Sequence, residues 1–158
     1  MRVIWSCAVC AVMLMGAAMA SSSSGGNLPE GMWVLNRTRS VQLEPANQTL
    51  WIIKDDGRQL TWVLVSTDEH GQVRINSWSG AYGGEPASVS GSPMKSQIVS
   101  HAPGTLHNFG EITGLGSYTE DCAVTRHGRG LVCHGEVTTP GGVRRWTDDF
   151  DWVAPSPC

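Results

Sequence analysis

Apolar and polar side chains alternate in short runs along most of the chain, and turn-forming residues interrupt them every ~8–12 positions. Strand side chains point to opposite faces in turn, so this period of two marks strands with one dry and one wet side. No long helix and no internal repeat is evident. The pattern predicts an all-β chain of antiparallel strands joined by tight turns.

Turn chemistry sets the registers, because directly opposed residues of a hairpin share a face. Asp56-Gly57 is a favoured two-residue loop. Closing there opposes Ile53 to Leu60, Trp51 to Trp62 and Thr49 to Leu64. A four-residue loop at Asp68-Glu69-His70-Gly71 then sets Leu64 against Ile75 and Trp62 against Ser77.

Three further loops organise the C-terminal half. They are Gly114-Leu115-Gly116, with Gly116 left-handed, an even loop centred on His127-Gly128, and Pro140-Gly141-Gly142-Val143. The resulting four-stranded sheet has one common inner face. Its rows are Leu106, Val124, Leu131, Trp152; then Asn108, Cys122, Cys133, Phe150; then Gly110, Glu120, Gly135, Asp148; then Ile112, Tyr118, Val137, Trp146. The other face carries His107, Glu111, Asp121, Arg126, His134, Glu136, Arg145, Asp149 and Asp151. About five more strands between residues 34 and 113 bring the total to about eight to ten. A meander of that size closing on itself removes the exposed edges that invite aggregation. An antiparallel β-barrel is expected, with a β-sandwich as the alternative.

Two sets of residues add a resemblance. They are Gly31-x-Trp33-x-Leu35-Asn36-x-x-x-Ser40 on the first strand, and Gly80-x-Tyr82-x-Gly84-x-Pro86 with Gly91 mid-chain. On these the chain resembles a mostly uncharacterised group of small exported bacterial proteins with a lipocalin-like barrel. Lipocalins themselves begin with a similar Gly-x-Trp. The resemblance implies a lipocalin-like barrel and, through it, binding of a small molecule.

The N-terminus changes the picture of where the chain works. Arg2, an apolar run over residues 3–15 and Ala18-x-Ala20 read as a cleavable signal peptide spanning residues 1–20. The run is too short for a stable span of a ~30 Å bilayer core. Residues 21–28 form a flexible Ser/Gly leader, and residues 29–158 a single barrel domain. The expected address is periplasmic or extracellular. Formal net charge is −3 over the whole chain and becomes −4 once Arg2 is removed. That acidic balance, without a basic run, argues against a nucleic-acid partner.

Export also favours disulfides. Cys122 and Cys133 are directly opposed in the register above and are expected to pair, leaving Cys158 over; pairing with Cys158 is the alternative. The third row is chemically odd. Glu120 and Asp148 face the core with Gly135 between them, at ~10 Å between Cα atoms. With Tyr118, Trp146 and Asn108 beside them they outline a candidate ligand pocket. The competing reading is that a bulge or the barrel mouth turns both acids to water. Trp51, Trp62, Trp146 and Trp152 fall on core faces. Trp78 falls on the wet face, near Tyr82, as a candidate partner contact.

Neither a metal site nor a cofactor is expected. His101 and His107 face each other across a turn but lack the further ligands zinc takes, and the acidic run at Asp148–Asp151 lacks calcium-loop spacing. Three function classes follow. The leading one is binding of an apolar or amphipathic small molecule. The second is an interaction or inhibitor-type module meeting an envelope protein through residues 77–86. The third is a hydrolase using Glu120 and Asp148.

Overall fold

A computed structural model describes residues 28–154. The expected signal segment, most of the expected Ser/Gly leader and Cys158 lie outside the described residues. Ten strands follow in order: β1 Gly31–Leu35, β2 Gln48–Asp55, β3 Gln59–Thr67, β4 Val73–Ala81, β5 Ala87–Ser88, β6 Met94–Val99, β7 Thr105–Ile112, β8 Gly116–Thr125, β9 Gly130–Thr139 and β10 Gly142–Ala154. They form one antiparallel sheet in the order β4-β3-β2-β1-β10-β9-β8-β7-β6-β5. Each strand pairs with its chain neighbour except at two places. β1 pairs with β10, and β4 meets β5 and β6 to bring the sheet round into a nearly closed barrel. At that seam Ser77 and Ser90 exchange both backbone hydrogen bonds, the Gly83 amide donates to the Ile98 carbonyl at 2.8 Å, and Trp78 Nε1 donates to the Ser96 carbonyl at 3.2 Å. No helix among the described residues is long and apolar enough to cross a membrane.

The core is the barrel interior. Trp33, Ile53, Leu60, Ile98, Leu106, Leu131 and Val137 are wholly buried there, each contributing roughly 1.5–3 kcal/mol from lost contact with water. One end is plugged. Leu28 is buried and its amide donates to Asp55 Oδ2, which also accepts from the Tyr82 hydroxyl. Leu28, expected to belong to the leader, is instead held by its buried side chain and a fixed backbone bond. The other end is crossed by residues 36–47, which run from β1 to β2. Val41 bridges to Thr147 of β10, and Arg144 donates to the Leu43 carbonyl. Asp149, on the outer face, ties this strap down. It is only 7% exposed and receives Arg39 and Arg126 together. Asp149 is on the outer face as expected, but two guanidinium groups cover it in place of water.

Several registers differ from the turn-based expectation. Cys122 opposes Cys133 as expected, and their sulfurs are joined with the Cα atoms 4.0 Å apart. The β2–β3, β7–β8 and β9–β10 pairings are each offset by two in register, with Ile53 on Trp62, Leu106 on Cys122 and Phe150 on Leu131. An offset of two keeps every side chain on its face. The β3–β4 pairing is offset by one, with Trp62 on Trp78 and Val65 on Ile75, and that reverses the faces of β4. Its loop has five residues because Asp68 Oδ1 accepts the amides of both His70 and Gln72. Trp78, expected on the wet face, is consequently inside the barrel at 3% exposure, while Ile75 is outside at 59%.

Outside, the two halves of the barrel differ. Val34, Leu50, Val65 and Ile75 form one outward row across β1–β4, and Met32, Ile52 and Val63 form the next. The outer surface from β7 to β10 instead carries charge pairs, including His107 with Asp121 and Arg145 with Glu136.

Candidate functional site

The inner face of β7–β10 builds the polar part of the interior. Asn108, Glu120, Gly135 and Trp146 lie in one row across these four strands. The sequence-based row put Asp148 where Trp146 stands. The tighter β9–β10 turn, braced by Thr139 Oγ1 between the Gly141 amide and the Gly142 carbonyl, moves Asp148 one row along, beside Cys133.

Gly135 has a specific use here. The Trp146 indole occupies the space a Cβ on Gly135 would need. Seated against that glycine, the indole aims Nε1 at Glu120 Oε1, 3.0 Å away. The space opposite Gly135 is therefore filled by an aromatic ring rather than left open between two acids. Asn108 holds the other oxygen of Glu120, with Nδ2 at 3.5 Å from Oε2. Asn108 is itself oriented through Oδ1, which accepts from the Ser96 hydroxyl and from the Tyr118 hydroxyl at 3.0 Å. Glu120 thus has a partner on each oxygen.

Asp148 does not. Its Oδ1 is buried and has no hydrogen-bond partner among the described residues, and the same holds for Trp51 Nε1. Both residues line one cavity of about 380 Å³. Its walls include Trp51, Trp62, Leu64, Met94 and Phe150, and its polar lining includes Asn108, Tyr118, Glu120, Trp146 and Asp148 together with Asn76 and Arg74 of β4. All five residues singled out in the sequence as a candidate pocket are brought together here. A further hollow shares Leu64, Arg74, Asn76, Trp146, Asp148 and Phe150 with this cavity and runs beneath strap residues 42–46. At the shared rim Arg74 Nη1 pairs with Glu44 Oε2 at 3.1 Å.

The electrostatics of this interior are unusual for a carboxyl pair. Burial pushes Glu120 above the ordinary carboxylate range, although the Trp146 and Asn108 hydrogen bonds pull the other way. Asp148 is pushed up to about 7, by burial first and by the charge of Glu120 second. An unpartnered acid in an apolar wall next to another acid holds its proton tightly.

Tyr82 is half-buried with its hydroxyl on Asp55 at 2.6 Å, and Trp78 faces inward. The pair does not form the exposed aromatic loop expected of them, because the one-residue register offset buries Trp78. His101 and His107 do approach, with ring centroids 6.0 Å apart, on the barrel exterior beside Asp121. Glu120 lies beside Cys122 and Cys133 with donor atoms within 4.8 Å of one another, but both sulfurs are committed to the disulfide. No histidine lines the cavity among the described residues. Sequence reasoning missed Trp51 and Arg74 as cavity residues. The signal for Trp51 was present, since it is an inward tryptophan with an indole N–H and no polar residue opposite it.

No protein-family model matches the chain, and no curated protein is similar to it in sequence. Solved structures are similar in shape. The chain superposes on zebrafish ileal bile acid-binding protein complexed with cholic acid with a TM-score of 0.53 and 15% identity, covering 78% of this chain and 98% of that one. It superposes on a point mutant of the fluorescent protein UnaG with a TM-score of 0.51 and 12% identity, covering 79% and 96%. At such identities the likeness is one of fold: a ten-stranded antiparallel meander rolled into a nearly closed barrel, as in the lipocalin and fatty-acid-binding-protein type.

Proposed function

We propose that this chain is an exported protein that holds one small apolar or amphipathic molecule inside its barrel. The observation that carries this reading is the cavity of about 380 Å³ with two buried polar atoms, Trp51 Nε1 and Asp148 Oδ1, left without partners on its wall. A buried polar group without a partner costs roughly 1–3 kcal/mol, and a ligand that meets it removes that cost. The volume lies in the ordinary range for small-molecule sites, about 300–1,000 Å³. The zebrafish protein of the same fold is complexed with cholic acid, which supports interior binding by analogy of shape.

The test begins with the protein purified from its exporting host, where N-terminal sequencing should find a start near Ser21. Native mass spectrometry should then detect a retained small molecule, and extraction followed by titration with apolar dyes should give saturable one-to-one quenching of tryptophan fluorescence. Trp51, Trp62 and Trp146 report directly, since all three line the cavity. A chain with no retained mass and no saturable quenching by any dye would sink the reading.

A further inference from the structure

We propose that the molecule bound in this cavity is an amphipathic amine, seated with its cationic head against Glu120 and Asp148 and its apolar tail along Trp51, Trp62, Leu64 and Phe150. This rests on the interior-binding reading above and adds the charge of the head group.

Three observations point to it. First, both carboxyl groups of the interior, with Asn108, Tyr118 and Trp146, lie on the β7–β10 wall, while the facing wall from β2 and β3 is Trp51, Trp62 and Leu64, with Asn76 of β4 beside it. A ligand that fits has a polar end and an apolar end. Second, the polar wall holds two carboxyl groups and no cation. Arg74 is the one basic side chain lining the cavity, and it sits at the rim in an ion pair with Glu44. A carboxylate or sulfate head placed there would meet two acids, an arrangement that selects against anions and for cations. Third, the free valence is an acceptor. Glu120 is already held by Trp146 and Asn108, whereas Asp148 Oδ1 is bare. An ammonium head brings several N–H donors, enough to meet Asp148 and share Glu120. The bare Trp51 Nε1 adds one requirement, an acceptor such as a hydroxyl or ether oxygen elsewhere on the molecule.

Burial and mutual repulsion hold a proton on the pair near neutrality, so the amine competes with that proton. Amine affinity should therefore rise with pH as the pair ionises, and the affinity of a neutral alcohol should not. The other titratable or charged groups around the cavity are Tyr118 on β8, Arg74 on β4 and Glu44 on the strap. Tyr118 is raised by burial above its ordinary 10.0 and does not ionise in this window.

A matched series decides the matter: dodecylamine, dodecanol and dodecanoate, each titrated into the delipidated chain at about pH 8 and followed by tryptophan fluorescence and calorimetry. The expected order is amine over alcohol over acid, with about tenfold or more between amine and acid, the size of a charge-assisted hydrogen bond. In the Glu120→Gln, Asp148→Asn double variant the amine-to-alcohol ratio should fall to near one. If that variant does not fold, the wild-type series and its pH dependence still decide. Dodecanoate binding as tightly as dodecylamine, or an amine no tighter than the alcohol, overturns the amine inference and leaves interior binding standing. Failure of all three to bind overturns interior binding and the amine inference with it.

Discussion

Raising the pH from about 5 to about 8 should weaken the folded state, and Asp148→Asn should remove most of that weakening. The folded chain keeps the Asp148 proton up to about pH 7, whereas an unfolded aspartate gives it up near 3.8. Between those values the native state binds more protons than the unfolded state. Stability is therefore full below the unfolded value, falls as pH rises through the window, and the loss is complete above about 7. At 1.36 kcal/mol per pH unit the loss over the whole window is on the order of 4 kcal/mol, of which about 3 kcal/mol falls above pH 5, a large share of the roughly 5–15 kcal/mol that holds a domain folded. Glu120, also raised by burial, acts in the same direction. Asp56, Asp68, Asp149 and Asp151 are held below their ordinary values, so they titrate on the acid side and leave this window clear. The measurement is urea denaturation at a series of pH values, wild type against Asp148→Asn, followed by tryptophan emission. The variant should gain relative stability steadily with pH. A difference that stays constant across the series, or wild-type stability that rises from pH 5.5 to 8, would refute the buried-acid account.

Other outcomes follow from the same geometry. Reducing Cys122–Cys133, or replacing both with alanine, should cost about 3 kcal/mol, the entropy of a closed loop of this length, read as a lower urea midpoint in the variant. Asp149→Ala should cost about 2–3 kcal/mol by removing the anion that Arg39 and Arg126 share. Burial works to raise the Asp149 pKa, but the two arginines win and hold it low, so this deficit should shrink as pH falls below about 4. Gly135→Ala should cost about 1–3 kcal/mol through overpacking, because the Trp146 ring must leave its seat. Near-ultraviolet circular dichroism should show the indole reoriented, and an unchanged spectrum with unchanged stability would argue against the seat.

The faces of β7–β10 were legible in the sequence, and the rows were not. Alternation settles which side of a strand is dry, and errors of two in register leave that untouched. Rows depend on where each turn closes, and here side chains decide it. Asp56 Oδ1 accepts the Arg58 and Gln59 amides, placing Gly57-Arg58 at the tip rather than Asp56-Gly57. Asp68 gathers a five-residue loop in place of four, and that single residue is why Trp78 and Ile75 exchanged sides. Glu120 and Tyr118 could be placed because the β8–β9 turn closed as expected and the disulfide agrees with it; Asn108 had its face right and its row wrong by two. The Trp146 seat on Gly135 and the bare Trp51 Nε1 are products of three-dimensional packing, which no pairwise register contains. The outer rows on β1–β4 went unread: Leu50 to Ile53 and Trp62 to Val65 are unbroken apolar runs, and such runs mark strands that are apolar on both faces.

The pairing of β1 with β10 bears on how the molecule is made. Trp33 is wholly buried, and its neighbour across the ladder is Trp152. A chain that emerges amino-terminus first, from a ribosome or a translocation pore, offers β1 only its β2 partner until the final strand arrives. The Cys122–Cys133 hairpin can oxidise while the barrel is still open, since both cysteines belong to adjacent strands. Closing the cylinder waits for β10, so its slow step is a contact between the two ends of the domain. Truncation before β10 would leave a sheet with a bare edge and an uncovered tryptophan, a species prone to self-association rather than a smaller barrel.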